Sequence, residues 1–277
     1  MRTILSRVRT ILVVVSGVGL VVSALAACNA SASGEDKVMA SAQSGLGSVK
    51  KGGMSLKLVG GAGETADGHD VGFSLEGPFD LSGSAGSLPK AKLTFTRLAG
   101  STEQRTVFTS TGTQAFVESG GRTVELTGDQ LRSLRLTKGK TSGGVAGFHL
   151  DRWATGRAKR TDGGRADGVA VDRVDADVDA VRALNDVFTL AGQFGSGVGP
   201  IEGAAAERLR KAVRASHVTV LVGKKDDLVR SLSLDVTFVA DAAESLRQAL
   251  GQLAAARLHL DLGITKPNQP IGAIAAP

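Results

Sequence analysis

Few residues of this chain combine a reactive side chain with a telling spacing. There is one thiol, Cys28, which excludes an internal disulfide and a cysteine-built zinc site. His69, His149, His217 and His259 are scattered, and none stands in a His-Glu-x-x-His pattern or another ligand spacing. Each reads as a surface or hydrogen-bonded imidazole. Asp175, Asp177 and Asp179, with Asp186 further on, echo the carboxylate spacing of an EF-hand loop. The glycine that bends such a loop is replaced by Ala180, and the final ligand is Asp instead of Glu. A solvent-facing strand edge followed by a helix cap is therefore the expectation. Gly195, Gly197 and Gly199 follow no convincing strand and close on Pro200, which suits a linker better than a phosphate cradle. No Gly-x-Ser-x-Gly elbow supports a nucleophilic serine. Neither an enzyme nor a metal or other cofactor is expected.

Cys28 has a more informative context. Arg2, Arg7 and Arg9 precede an apolar run of about 17 residues, from Ile11 through Val21-Val22 to Ala27, the pattern of a secretory leader. The run is marginal for a spanning helix, which needs about 20 apolar residues. It ends in Leu25-Ala26-Ala27-Cys28, which resembles the lipobox of bacterial lipoproteins. There, small residues before the cysteine fit the signal peptidase, and the thiol receives a diacylglyceryl group. Two acyl chains suffice for stable membrane attachment without a transmembrane helix. Residues 1–27 are thus expected to be a lipoprotein signal peptide and 28–35 a flexible tether, with an exported product anchored to the extracytoplasmic face of the cell membrane.

The leader also explains the charge. Lys and Arg outnumber Asp and Glu by 33 to 27, and losing Arg2, Arg7 and Arg9 lowers the formal charge from +6 to +3. Aromatic residues make up 4% of the chain, with no tyrosine, so stacking platforms for nucleic acid or sugars are not expected. No nucleic-acid partner is implied. A hydrophobic fraction of 42% excludes wholesale disorder.

Hydrophobic periodicity places the elements within one domain, 36–277. Asp36 is suited to cap a helix running to about Lys51, with Val38, Met39, Ala42, Leu46 and Val49 on one stripe. Period-two alternation follows at Met54-Leu56-Leu58, Val71-Phe73-Leu75, Leu93-Phe95 and Val124-Leu126. Short helices are expected over Gly128 to Leu136 and Phe148 to Ala154. Val169 to Val178 reads as a strand whose alternation slips near Asp172-Arg173, as at a bulge. Asp179 caps a helix through Val181, Leu184, Val187 and Leu190, and another helix is expected from Ile201 to Ser216. The last third alternates at Val218-Val220-Val222, Leu228 to Phe238, and Leu258 to Ile264, with a helical composition at Asp241 to Ala256. Strands before and after a helical middle imply an α+β fold, a curved antiparallel sheet with helices on one side.

The words Leu25-Ala26-Ala27-Cys28, Asp167-Gly168-Val169 and Lys266-Pro267 followed by Ala276-Pro277 resemble the LppX/LprG-type lipoproteins of actinobacteria. That family is related in fold to the lipoprotein carriers LolA and LolB. The resemblance implies a half-barrel sheet cupping helices, with an apolar cavity between them for the acyl chains of a lipid or lipoprotein. Two departures bear on the ligand more than on the fold. The family's threonine after Asp-Gly-Val is absent from Ala170-Val171-Asp172, and Asp241 to Ala256 looks like an insertion before the last strand.

An acyl chain requires only an aliphatic concave surface with few polar groups. Phe73, Leu75, Leu93, Phe95, Leu232, Leu234, Val236 and Phe238 are the candidate lining residues. The same eight would equally form an ordinary packed core, and periodicity does not separate the two. Arg152, Arg157, Lys159, Arg160 and Arg165 surround Trp153 and form either a solvated face or a rim for anionic headgroups, where each cation adds about 1 kcal/mol. The expected function is that of a membrane-anchored carrier of acyl chains across the envelope. The alternative is an envelope interaction module with a filled core and a protein partner.

Overall fold

A computed structural model describes residues 36–61, 71–99, 102–136, 147–192, 199–239 and 257–277. The expected signal peptide (1–27), Cys28, the tether at 28–35, His69, the glycine-rich run at 193–198 and the helical segment Asp241 to Ala256 lie outside the described residues. The described chain opens with helix α1 (Asp36–Gly47). Six strands follow: β1 (Lys51–Gly61), β2 (Val71–Asp80), β3 (Lys90–Ala99), β4 (Thr102–Thr111), β5 (Ala115–Ser119) and β6 (Arg122–Glu125). Two short helices, α2 (Gly128–Ser133) and α3 (Leu150–Trp153), lead to β7 (Lys159–Ala166) and β8 (Val169–Asp177). Helices α4 (Ala180–Gly192) and α5 (Gly203–Ala212) precede β9 (Val213–Gly223), β10 (Val229–Phe238) and β11 (Arg257–Thr265).

All eleven strands join one sheet in the order β6-β5-β4-β3-β2-β1-β11-β10-β9-β8-β7. Every pairing is antiparallel. β6 and β7 stand at opposite edges, so the curved sheet does not close. The α+β class and the curved sheet expected from the sequence are what the structure contains.

One face of the sheet carries the apolar set because side chains alternate along each strand. Its register runs Leu234-Leu260-Leu58-Phe73 across β10, β11, β1 and β2. The adjacent row is Leu232-Leu262-Leu56-Leu75-Phe95. These residues are buried in the same core as Met39, Leu46, Leu184, Val187, Phe188 and Leu209 from the helices. At full burial each such side chain contributes about 1.5–3 kcal/mol, so this face fixes the register.

Several expected boundaries move. α1 stops at Gly47, before Lys51. The helix expected to reach Ser216 ends at Ala212, and the chain passes directly into β9 at Val213, whose β-branched residues favour the strand. No bulge lies at Asp172-Arg173: β8 stays in register with β9 throughout. The irregularity is in β7, between Asp162 and Arg165. The slip in alternation comes instead from Val171, which is buried but outside the main core, three residues before core Val174. β4, β5 and β7 were not expected from periodicity at all.

Candidate functional site

Seven of the eight lining candidates are buried, and Leu93 is half-buried against the same core. Phe73 and Phe95, on neighbouring strands β2 and β3, stack with ring centroids 5.7 Å apart. Leu232, Leu234, Val236 and Phe238 lie on β10. The helices rest mainly on β8, β9 and β10, so the β10 candidates sit in the half of the face that they cover. The lining continues past that half. Leu93 leads to Phe108 on β4 and Val117 on β5, two apolar positions that sequence reasoning missed. Gly77 interrupts the face between Met54 and Leu93. Its φ of +141° and the closeness of the Lys92 carbonyl leave no room for a side chain.

One end of the sheet is closed off by local packing. Leu88, Leu126 and Leu134 are buried there. The loop after β2 is bound to the segment after α2 by Gly86 N–H to the Leu136 carbonyl (2.7 Å) and Leu136 N–H to the Ser87 carbonyl (2.8 Å). The Ser110 hydroxyl, buried, donates to the Pro89 carbonyl. On the helix side α1 meets the β9–β10 turn at Gly45, where a methyl group would overlap the Asp227 carbonyl.

The helix layer has its own polar centre. Asp186 Oδ2 on α4 accepts from the His149 backbone N–H (2.8 Å) and from Trp153 Nε1–H (2.8 Å), with His149 Nδ1 at 3.3 Å. The hydrogen bond to Asp186 pushes the His149 imidazole above its ordinary range, against partial desolvation. Gln43 Oε1 on α1 accepts the Leu150 N–H at 2.7 Å. The one tryptophan is thus buried, tilted against Phe148 at 5.2 Å, and fully hydrogen-bonded.

The four aspartates of the calcium-like spacing are engaged by protein groups, Asp175 and Asp177 sharing His217. Asp175 meets Arg173 (2.7 Å), Thr219 (2.7 Å) and His217 (3.2 Å); the Arg173 hydrogen bond leads in holding its carboxyl far below the usual range. Asp177 faces His217 at 3.3 Å. Asp179 caps α4 by accepting from the N–H groups of Val181 (2.9 Å) and Arg182 (3.2 Å), and Asp186 is the helix-layer acceptor. Among the described residues no three His, Cys, Asp or Glu side chains are placed to hold a metal ion.

His217 and His259 face outward on the polar side of the sheet. Asp177, His217, Asp235 and His259 form a row across β8 to β11. His259 lies between Asp235 (3.0 Å) and Asp261 (2.7 Å). Burial pushes the Asp235 carboxyl up, but Arg257 and His259 outweigh it and hold it below its usual range. Two members of the basic cluster around Trp153, Arg160 and Arg165, are engaged by neighbouring strands and turns. Arg160 pairs with Asp172 at 2.7 Å, Arg165 donates to the Gly168 carbonyl at 2.7 Å, and Asp162 holds Lys224 at 3.0 Å. Trp153 itself points into the core.

No family model matches the chain, and no curated protein matches it. Solved structures do. LprF from Mycobacterium bovis has 9% identity, with 87% of this chain and 96% of that chain covered and a TM-score of 0.48. The lipoprotein LppX from Mycobacterium tuberculosis has 12% identity, 86% and 98% coverage and a TM-score of 0.41. In fold, the chain is similar to LprF and LppX. Among the described residues no helix is long and apolar enough to cross a membrane.

Proposed function

We propose that this chain is an exported protein, anchored through acylated Cys28, that holds the acyl chains of a lipid or lipoprotein and carries them across the cell envelope. It acts by burial and release, without catalysis or cofactor. One observation carries the reading. The apolar face of an unclosed sheet continues from the helix-covered strands onto β2 to β5, through Phe73, Leu75, Leu93, Phe95, Phe108 and Val117. An acyl chain needs this kind of lining and little else, because its binding is driven by apolar area removed from water.

The burial of those residues and the Phe73–Phe95 stack favour a second reading, an envelope module with a filled core that binds a protein partner. Native mass spectrometry of residues 29–277 separates the two. Carriage predicts co-purifying lipid and saturable binding of a fluorescent acyl probe. A protein that is lipid-free and binds no probe rejects carriage in favour of the filled core. The anchor is tested separately: Cys28→Ala is expected to move the protein from the membrane to the soluble fraction. A variant with its leader cleaved that still sediments with membranes rejects the anchor.

A further inference from the structure

Helix α5 and the start of β9 carry more positive charge than their neighbours neutralise. α5 buries Ala206, Leu209 and Ala212, which leaves Arg208 and Lys211, three residues apart, together on its exposed side. Arg214 follows in β9 and is also exposed. Among the described residues none of these three makes a hydrogen bond or an ion pair. Arg210, beside them, takes two acids, Glu207 at 2.7 Å and Asp179 at 3.3 Å. Glu202 stands at the opposite end of the helix, about 9 Å along the axis from Arg208 and about 13 Å from Lys211. Both spans exceed the screening length of about 8 Å at physiological ionic strength. Asp151 and Arg152, exposed together on α3, add no net charge.

An exposed apolar side chain borders this patch. The Val239 N–H donates to the Ala212 carbonyl (2.9 Å), which sets Val239 against the end of α5. Among the described residues, Val124 and Val239 are the exposed large hydrophobic side chains. Cations beside an apolar residue suit the headgroup layer of an anionic bilayer, where each cation strengthens partitioning about fivefold. The patch also lies in the layer that leads to the tether. α1 packs on α3, α3 on α4 and α4 on α5. Residues 28–35, extended, reach at most about 28 Å, so an anchored chain holds this layer close to the membrane and a weak contact suffices.

We infer that Arg208, Lys211, Arg214 and Val239 form a docking face for an anionic lipid bilayer, which lays the helix layer against the membrane. The contact orients the protein and is reversed by salt; retention remains the work of acylated Cys28. The nearness of this face to the membrane rests on the anchor proposed above, whereas its affinity for anionic lipid does not.

Residues 29–277 lack the anchor but contain the whole buried core, so they isolate the contact. They are sedimented with vesicles of phosphatidylcholine alone or mixed with phosphatidylglycerol. Binding is expected to the mixed vesicles only and to fall as salt rises. The variant R208Q/K211Q/R214Q is expected to partition about a hundredfold more weakly, from three cations at about fivefold each. K90Q/K225Q/K266Q removes the same charge from exposed positions at the other end of the strands, and is expected to keep most of the binding. Far-ultraviolet circular dichroism confirms that each variant keeps its sheet. No binding to the mixed vesicles, equal binding to neutral ones, or binding that ignores salt overturns the docking face without any variant. A patch variant that binds as the unmodified chain does, or a control variant that loses as much, also overturns it. None of these outcomes bears on the anchor, which Cys28→Ala tests.

Discussion

A single oxygen, Asp186 Oδ2, ties α3 to α4 by accepting from a backbone amide, an indole and an imidazole. Replacing Asp186 with Ala orphans the buried Trp153 N–H, and a loss of about 1–3 kcal/mol in urea unfolding is expected. Only the imidazole part of this knot titrates. Because Asp186 raises the folded-state pKa of His149, its contribution is fully present below the unfolded value near 6.5 and disappears as pH rises through the raised pKa. His149 is partly exposed, so the effect is expected to stay below about 1 kcal/mol, or about 2–4 °C in Tm. Melting curves across that range should converge for the unmodified chain and His149→Ala as pH rises; a constant gap rejects the titration. The aspartates and histidines were legible in the sequence as residues to watch, but their partners were not. His217 meets Asp175 across 42 positions of chain, and only the strand order brings them together. The Asp179 cap was legible, since the N–H groups that donate to it lie two and three residues on.

Elements differ in legibility for a physical reason. β1, β10 and β11 bury one face completely and β2 most of one, so their sequences alternate cleanly. β4 presents Gln104, Thr106, Phe108 and Ser110 on the lined face, three of the four polar where the apolar surface ends, and its alternation vanishes. β7 is an edge with no residue in the core, interrupted by Gly163-Gly164, and reads as loop. Helix contacts are still less visible. Gly45 looks like a weak point of α1, and alanine is the better helix former by about 1 kcal/mol. Its Cβ would nevertheless overlap the Asp227 carbonyl, so Gly45→Ala is expected to destabilise by about 1–3 kcal/mol in denaturant unfolding. A stabilised variant would show that α1 is free to lift from the β9–β10 turn.

At the scale of the molecule, one core spans both halves of the sheet and the helix layer. Trp153 reports on the helices and far-ultraviolet circular dichroism mainly on the strands. Their urea transitions are expected to coincide, as for one cooperative unit covering 36–277. Separate midpoints would divide that domain in two. The break between β6 and β7 has a mechanical meaning beyond topology. In a closed barrel, strand number and stagger fix the diameter, so the interior has a set girth. Among the described residues no ladder joins the two edges. The sheet can roll tighter or open wider while every strand keeps the neighbours it has, so no fixed girth is imposed on the space it curves around.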